Sequence, residues 1–226
     1  MDKVAIVTGA SYGVGKETAK LLSANGYHVI AIARSIDLLK KLEKENKNIE
    51  AYVLDVTDDN AVKKFGEYLN NKNVEVLINN AGGGIFYPDG YLNDSAEYWR
   101  KAYDLNVVGP MELSRVVLPH MIKNNKGHIV LITSTAGHFV YKNGGGYVVA
   151  KRAEVALSEL LRLEMFNEKI KITEIAPGNI NSRGDRDPNV CLNPEDVAEA
   201  IRWVVSLPYH VNIDNMSILN VNTLRR

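Results

Sequence analysis

Cys191 is the only cysteine among the 226 residues. One thiol closes no internal disulfide and builds no thiolate metal site, so a reducing compartment, the cytoplasm, is expected. Net charge is also missing. The 27 Lys and Arg residues balance the 27 Asp and Glu residues, which removes any general attraction to nucleic acid or to an anionic membrane. No stretch approaches the roughly 18 consecutive apolar residues of a membrane-spanning helix. The start, Met1-Asp2-Lys3 and then the apolar run VAIV, lacks the pattern of a signal peptide. No repeat or low-complexity tract stands out. His120 and His128 have no carboxylate or second histidine at ligand spacing, so no metal site is expected.

What is present is hydrophobic patterning. Apolar residues make up 46% of the chain, enough for the core of one domain spanning 1–226. Short β-branched runs at 3–9, 27–33, 49–56, 74–82, 127–135, 170–178 and 216–221 predict buried strands. Between them, 15–26, 37–46, 58–71, 147–166 and 193–207 carry helical periodicity. The stretch 94–124 is long enough for two helices or for one bent near Pro110. Gly26 is a plausible helix stop. Asn193 and Pro194 suit a helix start. Alternation of strand and helix predicts an α/β fold: a Rossmann-type, doubly wound parallel sheet of about seven strands flanked by helices. Ligands of such sheets bind at the carboxyl ends of the strands, so the residues after each apolar run are the ones to read.

After the first run comes TGASYGVGK (8–16). Gly9, Gly13 and Gly15 allow a tight turn into a helix whose first N–H groups can face a pyrophosphate; a bare strand-to-helix turn is the alternative. After the second come Arg34 and Ser35. An acid here would accept hydrogen bonds from an adenosine ribose, whereas a guanidinium suits a 2′-phosphate. NADP is therefore favoured over NAD, unless Arg34 is merely a solvated loop residue. Asp55 and Val56 follow the third run, as an adenine contact or, for Asp55, a helix-capping acid. The small residues of NNAGGG (79–84), among them Asn80, Ala81 and Gly82, admit a planar ligand. Ser134 lies at the lip of TSTAG (133–137), and PGNINS (177–182) supplies Pro177, Gly178, Ile180 and Ser182. In GGGYVVAK (144–151), Tyr147 and Lys151 are four residues apart and share a helix face.

Taken together and in this order, these segments resemble the short-chain dehydrogenase/reductase family over nearly the whole chain. TGASYGVG is similar to its cofactor loop T-G-x-x-x-G-[IV]-G, which adds Ser11, Tyr12 and Val14 to the candidates. NNAG matches its motif after the fourth strand, Asn106 in LNVVG its helix asparagine, Ser134 its serine and YVVAK its Y-x-x-x-K. PGNINS is similar to P-G-x-[IV]-x-T, with Ser182 where threonine is usual. Two departures stand out. Tyr12 fills a loop position that is basic in one NADP-preferring pattern. The glycine-rich ending common in the family is absent, and the segment from Asn193 onward looks instead like the branch of NADP-dependent 3-hydroxy acid and serine dehydrogenases.

The resemblance implies an oxidoreductase that uses NADP(H) and moves a hydride between the nicotinamide and a small carbonyl or secondary alcohol. In it Tyr147 is the general acid and base. A free tyrosine, with a pKa near 10, is poorly matched to neutral pH, and a neighbouring ammonium such as Lys151 favours its ionised form. Lys151 would also hold the nicotinamide ribose, Ser134 would donate to the substrate oxygen, and Asn106 would hold a water linking Lys151 to solvent. A homo-oligomer, dimer or tetramer, is implied as well. His138 is expected as a pocket-wall or surface histidine. Arg183 and Arg186 are expected to pair with Asp185 and Asp187 in solvent rather than to meet an acidic substrate, and the aromatics of 85–92 to form a pocket wall. Two other readings stay open: a 3-oxoacyl-thioester reductase served by a carrier protein, against which the scattered Lys and Arg weigh, and a non-catalytic NADP-binding redox sensor.

Overall fold

The computed structural model describes residues 2–83 and 91–223. Each of the seven predicted apolar runs forms a strand: β1 (Lys3–Thr8), β2 (His28–Ala33), β3 (Ile49–Val53), β4 (Asn73–Asn79), β5 (His128–Ile132), β6 (Lys171–Pro177) and β7 (Asn215–Ile218). They pair in parallel in the order β3-β2-β1-β4-β5-β6-β7. Parallel neighbours require crossovers, which are supplied by α1 (Gly13–Ala24), α2 (Ile36–Glu45), α3 (Asp59–Tyr68), α4 (Ala96–Tyr103), α5 (Gly109–Lys123), α6 (Gly145–Glu164) and α7 (Pro194–Ser206).

The period-2 alternation of strand side chains divides the core into two layers. Ala5, Val7, Val29, Ala31, Val76 and Ile78 face one side, where Leu22 of α1, Leu39 and Leu42 of α2, and Val197 and Ile201 of α7 cover them. Val4, Ile6, Ile30, Ile32 and Leu77 face the other, beneath Val62 and Phe65 of α3 and Leu113, Val117 and Met121 of α5. Helix ends follow local chemistry. Gly26 turns the chain after α1 with φ +85°. Asp58 caps α3 by accepting from Ala61 N at 3.0 Å. The N–H of Asn193 donates to Asp196 Oδ2 at 2.8 Å at the start of α7, and Pro194 fills the first position, where no N–H is needed.

The stretch 94–124 is resolved as α4 and α5 joined by a π-helical turn, Asp104–Val108. Pro110 lies in the first turn of α5, so the wide turn falls just before the proline. Asn106, inside that turn, donates through Nδ2 to the carbonyl of Ala102 four residues back at 2.9 Å.

The sheet order reverses between β1 and β4, and there the two strand ends are tied together. Thr8 Oγ1 accepts from the N–H groups of Asn80 at 2.9 Å and Ala81 at 2.8 Å. Asn80 Nδ2 donates back to Thr8 O at 2.8 Å. The carboxamide and hydroxyl hold open the crevice that a doubly wound sheet offers a ligand.

Candidate active site

A cavity of about 530 Å³ opens at this crevice, along the carboxyl ends of the strands. Gly9, Tyr12, Gly13 and Val14 line it from the loop before α1, and Asn80, Ala81 and Gly82 from the segment after β4. Ser134 lines it after β5, Tyr147 and Lys151 from α6, and Pro177, Gly178, Ile180 and Ser182 after β6. Ser11, Gly15, Arg34, Ser35, Asp55, Val56 and Asn106 lie outside its lining.

The glycine loop has little room for side chains. Gly9 and Gly13 have φ of +66° and +58°, which L side chains rarely adopt. A Cβ on Gly15 would lie 2.4 Å from the carbonyl oxygen of Gly9 and 2.6 Å from Asn80 Nδ2. A cradle of bare backbone at the start of a twelve-residue helix fits the pyrophosphate of a dinucleotide.

Arg34 follows β2 with its side chain 80% exposed, its guanidinium 3.7 Å from Asp55 Oδ2. Ser35 precedes the first turn of α2. Asp55 is engaged locally: its Oδ1 accepts from Thr57 N at 3.0 Å and Thr57 Oγ1 at 2.8 Å. Partial burial opposes ionisation of Asp55, but the Thr57 bonds and the Arg34 charge outweigh it and hold the carboxyl below the ordinary range. Asp55 therefore shapes a turn, and the helix cap proper is Asp58. Val56 is buried and abuts Gly109, where an added Cβ would lie 3.1 Å from Val56 Cγ2.

Ser134 has extended backbone, and its Oγ accepts from Ala136 N at 3.1 Å, capping the 3₁₀ turn Thr135–Gly137. Lys151 is almost fully buried. Its Nζ donates to Ile132 O at 3.1 Å and to Glu154 Oε2 at 2.7 Å, leaving one N–H of three for a ligand. Asn106 is wholly buried. It accepts from Gly83 N at 3.0 Å through Oδ1 and donates through Nδ2 to Gly83 O at 3.2 Å. A Cβ on Gly82 would meet Asn106 Oδ1 at 2.9 Å and Lys151 Nζ at 3.2 Å. The asparagine and the lysine thus flank one point on the cavity floor.

Several expectations about the surroundings change. Arg183 and Arg186 make no ion pair with Asp185 or Asp187; both line the cavity, with Asp185 beside them, and the Arg183 guanidinium lies 5.8 Å from the Tyr12 ring. Asp187 instead accepts from Asn189. Of the aromatic stretch 85–92, residues 85–90 lie outside the described residues, and Tyr91 and Leu92 are exposed. Among the described residues the aromatics that line the cavity are Tyr12, Phe139, Tyr141 and Tyr147. Burial, with Tyr147 and Tyr98 nearby, raises the Tyr141 phenol. His138 lies outside the cavity lining and contacts Glu174 Oε1 through Nε2 at 2.8 Å.

Two residues escaped the sequence reading: Glu154 and Glu174. Glu154 follows Tyr147 by seven positions and Lys151 by three, hence on the same helix face. Glu174 is a fully buried carboxyl on β6, a strand that also carries Lys171 and Thr173, and a buried acid in a strand flags a polar role. Burial pushes the Glu154 carboxyl up to about 7, against the pull of Lys151 and with help from the Glu174 charge.

Comparison with known proteins accords with this geometry. The family model described as short chain dehydrogenase matches residues 3–189. An uncharacterized oxidoreductase of Mycobacterium tuberculosis (strain ATCC 25618 / H37Rv) is 41% identical over 231 residues, covering 96% of this chain and 90% of that protein. The NADP-dependent 3-hydroxy acid dehydrogenase YdfG of Escherichia coli (strain K12) is 33% identical over 236 residues, covering 96% and 95%. A solved structure, the closed form of serine dehydrogenase complexed with NADP+, superposes with a TM-score of 0.91 at 32% identity, covering 98% of this chain and 96% of that one.

Proposed function

The chain belongs to the short chain dehydrogenase family and is an NADP-dependent oxidoreductase, and from that premise we propose that it interconverts a small carbonyl compound and its secondary alcohol with Tyr147 as the general acid and base. The observation that carries this reading is the convergence of Ser134, Tyr147 and Lys151 on one cavity that also receives the glycine loop. The bound nicotinamide supplies or accepts the hydride. The chain's residues do the rest. In reduction the Tyr147 hydroxyl gives its proton to the developing alkoxide; in oxidation its phenolate takes the proton back. Ser134 donates to the same oxygen and stabilises charge as it grows. Lys151, fixed from behind by Ile132 and Glu154, brings its amine to the same cavity as Tyr147. The glycine loop takes the pyrophosphate and Arg34 the 2′-phosphate. These are one catalytic unit, and residues 1–226 are read as one cofactor-binding domain.

Arg183 and Arg186 at the cavity favour an acidic substrate, in keeping with the hydroxy acid and serine in the names of the relatives. No helix among the described residues is long and apolar enough to cross a membrane, and the lone buried thiol of Cys191 suits the cytoplasm. Val149, Leu160, Leu163 and Phe166, on or just after α6, expose apolar surface on which a homo-oligomer can form. Light scattering reads that state directly.

The test is to mix the protein with NADPH and a panel of 3-oxo acids, ketones, aldehydes and acyl thioesters and follow the loss of reduced-cofactor absorbance. Turnover of a small oxo acid, lost by roughly a hundredfold or more in Tyr147→Phe, is the expected result. Full turnover by Tyr147→Phe overturns the assignment. Preference for the thioester points to a carrier-linked reductase, and tight NADPH binding with no turnover across the panel points to a sensor.

A further inference from the structure

A second cavity, of about 340 Å³, lies at the amino ends of the strands. Among the described residues it shares no lining with the active-site cavity at the carboxyl ends. Its volume falls within the roughly 300–1,000 Å³ of small-molecule sites. Lys3 of β1, Glu75 of β4, His128 of β5 and Lys171 of β6 line it from the sheet, Lys126 from the turn before β5 and Arg202 from α7. Four cationic side chains therefore face one carboxylate among the described residues, in a chain whose formal net charge is zero.

Two of these cations are answered by the protein. Lys126 Nζ contacts Glu75 Oε2 at 2.8 Å, and Arg202 Nε contacts Glu199 Oε2 at 2.7 Å. The carbonyl ends of α1 and α7 add about half a negative charge each, and that of α1 is already met by Asn25, whose Nδ2 donates to Leu21 O at 2.7 Å. Lys3 and Lys171 are left over: among the described residues neither ammonium has a hydrogen bond or an ion pair. Lys3 Nζ lies over the Tyr27 ring, 6.0 Å from its centre.

Lys171 is the harder of the two to explain as structure. It is 7% exposed and stands beside His128, its register partner on β5, which is 5% exposed. Lysine is almost never buried without a partner. Burial lowers the Lys171 amine, and the Lys171 charge adds to the burial that keeps His128 neutral. The ring is half satisfied: Nε2 contacts Thr173 Oγ1 at 2.8 Å, while the buried Nδ1 has no partner. A methionine would fill the Lys171 position without an unpaired charge to desolvate. Two neighbouring groups that the protein leaves unpartnered, on the lining of one cavity, are what an anion would complete, because its oxygens accept from ammonium and imidazole N–H alike.

We propose that this cavity binds a small oxyanion, a carboxylate or phosphate carried by a small metabolite, with Lys171 as its anchor, Lys3 as the second charge and His128 as a neutral donor through Nδ1–H. Thr173 then donates to Nε2, which fixes the tautomer that carries its proton on Nδ1. Glu75 opposes the ligand and sets a limit on its affinity.

The test uses the chain saturated with NADPH, so that the cofactor's own phosphate contacts are occupied. It is titrated with inorganic phosphate in one arm and succinate in the other, with sodium chloride holding the ionic strength constant. Calorimetry reads affinity, and NMR spectra of the histidine ring nitrogens read the site; the His128 ring is the one that stays neutral until pH falls to about 3. At least one probe should shift the His128 signals saturably and place the ring proton on Nδ1. A stronger response to phosphate identifies a phosphorylated ligand, and a stronger response to succinate an organic acid. Lys171→Met, which strands no partner, should fold and bind the probe roughly tenfold more weakly or worse. Glu75→Gln should bind it more tightly, an opposite change that general damage to the fold would not produce. Arg183→Ala, in the other cavity, should leave the His128 response as it is. A His128 signal that neither probe moves beyond the effect of chloride overturns the proposal without recourse to any variant. Undiminished affinity in Lys171→Met overturns it as well, as does a response that vanishes in Arg183→Ala, which would place the probe at the active site.

Discussion

On the proposed reading, cofactor choice turns on one side chain. Arg34 is the cation at the end of β2, and its one charged partner among the described residues, Asp55, is 3.7 Å away and already occupied by Thr57. An exposed pair at that distance contributes little to folding, so Arg34→Ala should leave thermal stability nearly unchanged. A hydrogen-bonded charge on the 2′-phosphate is worth about 1.5–3 kcal/mol, so KM for NADPH should rise by roughly tenfold to a hundredfold while KM for NADH hardly moves. Steady-state kinetics with both cofactors checks this, and an unchanged ratio between them would move the phosphate site elsewhere. Arg34 was legible in the sequence because its place after a strand is a backbone fact. Its contact with Asp55 was not, since pairing between neighbouring strand ends depends on sheet order.

At the scale of elements, the join between β1 and α1 is the tightest. The Cβ of a Gly15→Ala variant would press on the Gly9 carbonyl at 2.4 Å and on Asn80 Nδ2 at 2.6 Å. Backbone cannot swing aside as a flexible side chain does, so either α1 shifts or the Thr8–Asn80 tie lengthens. Overpacking of this kind costs about 1–3 kcal/mol. Gly15→Ala should therefore lose stability in urea unfolding and lose NADPH affinity together, whereas Arg34→Ala loses only affinity; a Gly15→Ala variant with normal unfolding would show that the loop yields. The strands were legible because β-branched runs between helical stretches leave few other folds open. The π-helical turn at Asp104–Val108 was not, since it differs from an α-helical turn by one residue and Pro110 drew the expected bend downstream. The shared helix face of Tyr147 and Lys151 was legible from their spacing, but their expected role came only from the resemblance that the other segments completed. Glu174 was hidden, because its meaning lies in the helix across the sheet face and in a histidine 36 residues away. The arginines at 183 and 186 misled through proximity: neighbouring Asp residues suggested pairs, but both arginines line the cavity.

For the whole molecule, two buried groups on different faces of the fold set opposite pH slopes. His128 is buried at the start of β5, with Nε2 2.8 Å from Thr173 Oγ1, and burial, then the nearby Lys171 charge, lowers it from 6.5 to about 3. The unfolded chain therefore binds a proton there that the folded chain refuses, so stability is fully present above 6.5 and lost as pH falls toward 3. Glu154 is raised from 4.5 to about 7. The folded chain keeps a proton that the unfolded chain has released, so stability is fully present below 4.5 and lost as pH rises through about 7. Between 4.5 and 6.5 the two proton differences oppose and nearly cancel. Stability should show a plateau there, a fall on the acid side reinforced by the depressed carboxyls of Glu43, Glu50 and Asp55, and a decline toward neutral pH. One proton gives a slope no steeper than about 1.4 kcal/mol per pH unit. Urea midpoints across this range test the shape, and Glu154→Gln should abolish the neutral decline and turn the plateau into a continued rise with pH up to 6.5, since the His128 proton difference is then unopposed. A decline that persists in Glu154→Gln would mean that the proton is held elsewhere. A decline that disappears would tie the stability of the fold to the buried carboxyl that contacts Lys151.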